Sequence, residues 1–266
     1  MCIRDSLYDV GGEVVLSNGK ELPADPWQAE HYDLWADKDV IRYFMPIIEE
    51  CAAAIIEAKP KILALSIQQC SEKFSSELVH IVKAALPDTI ILCGGFSCYS
   101  AEIGLRSFPQ ADYMCIGESE LTIAPLVEML AHGERPKDLP GVVSQIDTPF
   151  RIFIPGPMPH DLDMIDEPRY EWFDLDIYRN FNGYQLTPVI ASRGCRWSRC
   201  TFCAERFYWR IRTPKNFVDE LEWLISQGCT LFMFNESDLN GMPEVCLLYT
   251  SPSPRDRTRS RMPSSA

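Results

Sequence analysis

The sequence predicts an α/β protein in two parts: a Rossmann-like parallel sheet, then the opening strands of a β/α barrel. Three observations predict it. Short apolar runs alternate with longer stretches whose apolar residues recur at helical spacing. The runs end in Ser, Gly-Gly or Gly-Glu, the residue types that turn a strand into a helix. After a proline-rich, acidic connector the same alternation begins again. Strands alternating with helices mean crossover connections and a sheet covered on both faces.

The elements follow in order. Up to Asp37 the chain is weakly patterned; Glu13-Val-Val-Leu16 before Ser17-Asn-Gly19 suggests a short strand and turn. From Asp37, Val40, Ile41, Phe44, Ile47, Ile48, Cys51 and Ile55 mark a helix that Pro60 closes. Pro46 falls inside it, so a kink or two shorter helices are expected. Lys61-Ile-Leu-Ala-Leu-Ser-Ile67 reads as a buried strand. Phe74, Leu78, Ile81 and Val82 share one helix face, ending near Pro87. Thr89-Ile-Ile-Leu-Cys-Gly-Gly95 and Asp112-Tyr-Met-Cys-Ile-Gly117 are the next strands. A helix is expected from about Leu121 to Ala131, with Pro125 early, where its missing N–H costs least. Gly141-Val-Val-Ser144 is a last short strand. The prolines of Pro155-Gly-Pro-Met-Pro-His160 and the acidic run to Pro168 read as a linker. Beyond Cys203, Thr213-Pro214 is an N-cap with proline at the first helical position. Phe217, Val218, Leu221, Leu224 and Ile225 form the apolar face, Gly228 ends the helix, and Thr230-Leu-Phe-Met-Phe234 is the following strand.

Composition narrows the function. The 266 residues allow one large or two modest domains. A formal charge of −13 disfavours a broad nucleic-acid-binding face. Eleven cysteines without a signal peptide read as a reducing cytoplasm rather than a disulfide framework. No apolar run approaches the roughly 20 residues that span a bilayer. Residues 1–6 and 245–266 look like translated adaptor sequence, the second rich in Ser, Pro and Arg; both are set aside, and what remains reads as a fragment. The expected division is 7–150 for the sheet domain, 151–185 for the linker and 186–244 for the start of the barrel.

The chemistry concentrates in Val189-Ile-Ala-Ser-Arg-Gly-Cys195-Arg-Trp-Ser-Arg-Cys200-Thr-Phe-Cys203. An apolar run breaks at Arg193-Gly194 and three cysteines follow, spaced Cys-x4-Cys-x2-Cys. Thiolates are soft ligands, and three on one loop can share a metal centre. A closed zinc site wants four ligands, whereas an iron–sulfur cluster with three protein ligands keeps one iron open. A redox cluster, zinc and unligated cysteines all remain readings of this loop. Of the other thiols, Cys51, Cys93 and Cys115 fall inside helix or strand and read as core. Cys70 and Cys98 fall at ligand-side strand ends. Tyr170, Trp172, Phe173 and Tyr178 read as domain packing or as the lining of a cleft between domains. Arg206 and Arg210 read as exposed arginines or as charges offsetting a cluster.

The cysteine loop resembles that of radical S-adenosylmethionine (SAM) enzymes, whose usual spacing is one residue shorter between the first two cysteines. The resemblance implies a four-iron, four-sulfur (4Fe–4S) cluster on Cys195, Cys200 and Cys203, with SAM chelated by the open iron. It places Phe202 beside the adenine, and Glu236, with Asp238 in reserve, at the SAM amino group. The preceding strands resemble the cobalamin-binding domain fused ahead of some radical SAM domains. Ser66 matches a serine near the nucleotide tail, Gly94 and Gly95 a glycine pair along it, and Gly117-Glu118-Ser119-Glu120 a Gly-Glu-Gly-Glu turn. No Asp-x-His-x-x-Gly loop offers a histidine to cobalt, and His31, His80, His132 and His160 are not placed like one. What the resemblance implies is reductive cleavage of SAM to a 5′-deoxyadenosyl radical and methylation of an unactivated carbon. The substrate would be a small molecule, lipid or peptide, and the electron donor a flavodoxin or ferredoxin. Two alternatives stand: a cobalamin- or nucleotide-binding module with a structural metal site, and a radical cyclase or rearrangement enzyme without methyl transfer.

Overall fold

Leu63 and Leu65 point to one side of their strand and Ile62 to the other, and each side meets its own helix. This is the organising fact of the first of two units, Met1–Pro159 and His160–Ala266, into which the chain divides. The computed structural model describes residues 19, 21–23, 29–98, 100, 106–144, 153–170, 186–203, 207–238 and 241. Both presumed adaptor ends lie outside them, as do Trp172, Phe173, Tyr178 and Arg206. Among the described residues no helix is long and apolar enough to cross a membrane.

In the first unit, β1 (Ile62–Ser66), β2 (Ile90–Gly94), β3 (Tyr113–Cys115) and β4 (Val142–Ser144) form one sheet in that order. β1 pairs β2 in parallel from Ile62–Ile90 to Ser66–Gly94, and β2 pairs β3 in parallel. Helix α1 is Lys38–Ala58, α2 is Glu72–Ala85 and α3 is Ile123–Ala131. Val79 of α2 packs with Ile67, Ile91, Cys93 and Met114 on one face of the sheet. Leu126 and Leu130 of α3 pack with Ile90, Leu92, Tyr113 and Cys115 on the other. Both faces are therefore covered, as the unbroken apolar strands require. α1 lies on α2 through Trp35, Phe44 and Phe74, whose rings are 5.4 to 6.5 Å apart.

Two details refine the expectation. Of the two outcomes expected at Pro46, a kink or two shorter helices, the second is not seen: α1 is one helix running through it. Pro46 and Arg42 are on the exposed side, so the Arg42 carbonyl freed by the missing N–H can turn to water. β4 runs antiparallel to β3, with Cys115 opposite Val142. The reason is the long connector 132–141, which includes Pro136 and Pro140. It carries the chain back up from the end of α3 to the C-terminal end of β3, and β4 then descends.

In the second unit, β5 (Leu186–Val189) and β8 (Leu231–Phe234) pair in parallel, and β6 (Ser192–Arg193) pairs antiparallel with β7 (Arg210–Ile211). Helix α4, Pro214–Ser226, makes the crossover. Thr213 caps it by accepting from the Asn216 amide at 3.3 Å, and Gly228 turns the chain beyond its end at φ +91°. Phe217 and Leu224 of α4 pack against Val189 and Ala191. Arg212 stitches this unit together. Its amide donates to Ala191 O at 2.9 Å, and its guanidinium donates to Asn216 Oδ1 at 2.5 Å and to the Glu220 carboxylate. Glu220 is 2% exposed, so this is a buried, hydrogen-bonded pair.

Candidate cofactor sites at the strand ends

Ligands on parallel sheets bind beyond the C-terminal strand ends. In the first unit those ends bring together Ser66, Gly94 and Gly95. Ser66 stands opposite Gly94 in the ladder, and Gly94 O accepts from the Ile67 amide at 2.7 Å. Gly95 turns the chain at φ +96°. A Cβ there would lie 2.7 Å from both Ile67 N and Ile67 O and 3.0 Å from Ser66 Oγ, so only glycine fits. The result is an exposed stretch of bare backbone beside a hydroxyl, followed by Phe96, which is 70% exposed. Gly117, at φ +82°, opens the next turn into space, with Ser119 Oγ donating to Gly117 O at 3.2 Å and Glu118 half-buried beside it.

Cys93, Cys98 and Cys115 of this unit are buried and take no part in that surface. Burial pushes the Cys93 thiol up to about 12 and those of Cys98 and Cys115 up to about 11. Cys98 does follow the C-terminal end of β2, as the sequence placed it, but its thiol is fully buried in the core. Cys70 packs against the α1–α2 aromatic cluster.

In the second unit the chain leaves β5 through Ala191 and enters the cysteine loop. Gly194, at φ +82°, passes so close to the returning strand that a Cβ would lie 2.7 Å from Phe207 O and Tyr208 O. The loop then folds on itself. Ser198 takes a left-handed backbone, φ +46°, and its amide approaches Cys195 Sγ at 3.5 Å; the Cys203 amide donates to Cys200 O at 3.4 Å. Cys195, Cys200 and Cys203 are half-buried and in no disulfide. Among the described residues, no three His, Cys, Asp or Glu side chains converge as they would on a single metal ion. The loop's aromatics face outward, Trp197 at 65% and Phe202 at 91% exposure. Arg210 is buried at 4% exposure with Nε donating to Tyr208 O, so it is no exposed arginine.

Glu236 and Asp238 both reach this loop from the end of β8. Glu236 Oε1 accepts from the Ala191 amide, while Oε2 is buried with no hydrogen-bond partner among the described residues. Burial raises the Glu236 carboxyl above its ordinary value, and the facing amides of Ala191 and Ser192 offset this only in part. Asp238 Oδ2 accepts from the Arg196 amide at 3.3 Å. The family resemblance pointed to both acids, but not to their hold on the loop backbone, which spacing cannot reveal.

No protein-family profile matches the chain. It is 33% identical over 160 residues to an anaerobic magnesium-protoporphyrin IX monomethyl ester cyclase of Synechocystis, covering 58% of this chain and 32% of that protein. Its fold matches the cobalamin-dependent S-adenosylmethionine radical enzyme OxsB with aqua-cobalamin bound, at TM-score 0.62 and 19% identity, covering 74% of this chain and 28% of that one. It also matches the radical S-adenosylmethionine methyltransferase TsrM of Kitasatospora setae with cobalamin and a 4Fe–4S cluster bound, at TM-score 0.56 and 17% identity, covering 72% and 40%. The chain thus spans about a third of the length of the curated relatives it matches. In sequence and in fold, it resembles the cobalamin-dependent radical SAM enzymes.

Proposed function

We propose that this chain carries the cobalamin-binding part and the cluster-binding loop of a radical SAM enzyme. The observation that carries the reading is the cysteine loop leaving β5 beside Oε2 of Glu236, which is buried and unpartnered among the described residues. Three soft thiolates suit iron–sulfur chemistry, whereas a single zinc wants four ligands drawn to about 2.3 Å from one point. On this reading Cys195, Cys200 and Cys203 hold a 4Fe–4S cluster and leave one iron open. Glu236 Oε2 accepts from the ammonium group of SAM, which supplies the cation that a buried carboxylate lacks. Phe202 offers its exposed ring to the adenine. Ser66, Gly94, Gly95, Gly117 and Glu118 cradle the nucleotide tail of cobalamin, and the bare backbone at Gly95 allows close approach. When bound, the cluster supplies the electron for cleaving SAM and cobalamin supplies a methyl group; the protein orients them and limits water.

The reaction we favour is methylation of an unactivated carbon in a small molecule, lipid or peptide, with a flavodoxin or ferredoxin as electron donor. We place it in the cytoplasm, where eleven cysteines stay reduced. A second reading, ring formation without methyl transfer, is favoured by the relative of 33% identity, a cyclase. Anaerobic reconstitution of the chain tests the binding claim: about four irons and one cobalamin per chain are expected. Zinc without iron would support a structural site instead. Methyl-labelled SAM, supplied with substrate, separates the two chemistries, since only methylation carries label into product.

A further inference from the structure

We infer that Arg196 is a positioning residue for the cysteine loop, held by a clamp that the chain forms after β8. The inference rests on assigning that loop to the iron–sulfur centre, but the clamp itself needs no metal. Three segments distant in sequence meet at Arg196, the residue next to Cys195. Its amide donates to Asp238 Oδ2 at 3.3 Å. Its guanidinium donates to Gly241 O, and its Cζ lies 5.8 Å from the centre of the Trp209 ring.

Gly241 packs on that same indole. A Cβ there would come within 2.6 Å of Trp209 Cζ2, so glycine is what lets the carbonyl sit within reach of Arg196. A planar guanidinium can stack on a ring while donating in its own plane, which an ammonium cannot do. The clamp therefore grips Arg196 by backbone and side chain at once. Its effect falls on Cys195 next door, and on Ser198, whose left-handed turn brings its amide to Cys195 Sγ. Holding a loop near its bound shape lowers the entropy lost when a ligand arrives. Glu236, gripping Ala191 from the same post-β8 segment, anchors the loop's start.

The test uses the whole chain, metal-free and reduced, in four forms: wild type, Arg196→Ala, Asp238→Ala and Asp238→Asn. Amide hydrogen exchange is followed across residues 195–203, with α4 as internal reference, and each form is then reconstituted with limiting iron and sulfide. Exchange across the loop is expected to quicken about tenfold in Arg196→Ala and Asp238→Ala. Asn retains an oxygen acceptor, so Asp238→Asn stays close to wild type. Exchange in α4 is unchanged throughout, and cluster absorbance at limiting iron falls in the two Ala variants alone. Unchanged loop exchange in both Ala variants, or Asp238→Asn behaving like Asp238→Ala, overturns the clamp. If Arg196→Ala does not fold, the Asp238 pair decides. A wild type that takes up no iron defeats the cluster reading, while the exchange data still decide the clamp.

Discussion

Glu236, at the end of β8, accepts a hydrogen bond from the amide of Ala191, forty-five residues earlier in the chain. Ala191 is the residue through which β5 passes into the cysteine loop, and its own carbonyl accepts from the Arg212 amide. The residue is thus held from two sides, by the segment that follows β8 and by the segment leading into α4. Among the described residues, the other oxygen of that carboxylate is buried and unmatched. That combination of a structural grip and a spare acceptor is what the functional reading uses.

Glu236 gives a pH prediction. Burial raises its folded-state pKa above the ordinary 4.5. A raised pKa means the folded state binds the extra proton. The contribution to stability is therefore full below 4.5 and is lost as pH rises through the folded value. Glu236→Gln, which can still accept from Ala191, removes this dependence. Denaturation of the metal-free chain from pH 4 to 7 is expected to show wild type losing ground to Glu236→Gln as pH rises; parallel curves would contradict it.

Arg212 and Glu220 give a stability prediction. Their side chains are 10% and 2% exposed, so removing one partner strands a buried charge. Arg212→Ala is expected to cost about 3–5 kcal/mol, whereas replacing both residues by apolar ones of similar volume costs far less. Urea midpoints of the two variants make the comparison. An Arg212→Ala loss under about 1 kcal/mol, the range of an exposed pair, would contradict burial of the bridge.

The glycines separate strain from crowding. Gly95 and Gly117 both have positive φ, but a Cβ at Gly95 meets the Ile67 backbone and one at Gly117 meets nothing within 4 Å. Gly117→Ala is expected to cost about 1–2 kcal/mol from the left-handed backbone alone. Gly95→Ala costs more and also weakens cobalamin binding, because the turn must move away from Ser66. Thermal midpoints and cobalamin titration check both.

Thiol reactivity should divide the cysteines. The thiols of Cys93, Cys98 and Cys115 are buried and pushed up to about 12, 11 and 11, while Cys195, Cys200 and Cys203 are half-buried on a loop. Iodoacetamide at pH 8 is expected to label the loop in the folded metal-free chain and the core three only after denaturation. Mass spectrometry of tryptic peptides reads this directly.

Much of this arrangement was legible in the sequence. Helical spacing found α1 to α4 because their buried faces are continuous, and Thr213-Pro214 marked the start of α4 through capping chemistry that is purely local. The antiparallel turn of β4 was not legible, because a three-residue apolar run carries no sign of its direction. Pro46 left two outcomes open for a related reason: its cost depends on whether the freed carbonyl meets water, which is a tertiary matter. At the site, the cysteines stood out by type and spacing, and Glu236 through the family resemblance they carry. The clamp of Arg196, Trp209, Asp238 and Gly241 did not, since no periodic pattern ties three segments that meet only in space.

The central claim is that Cys195, Cys200 and Cys203 hold an iron–sulfur cluster. The most direct test is iron and sulfide content after anaerobic reconstitution of wild type and of the triple Cys→Ala variant. About four irons per chain in wild type and none in the variant, with the characteristic brown absorbance lost, is the predicted result. Equal iron in both, or zinc in place of iron in wild type, would contradict it.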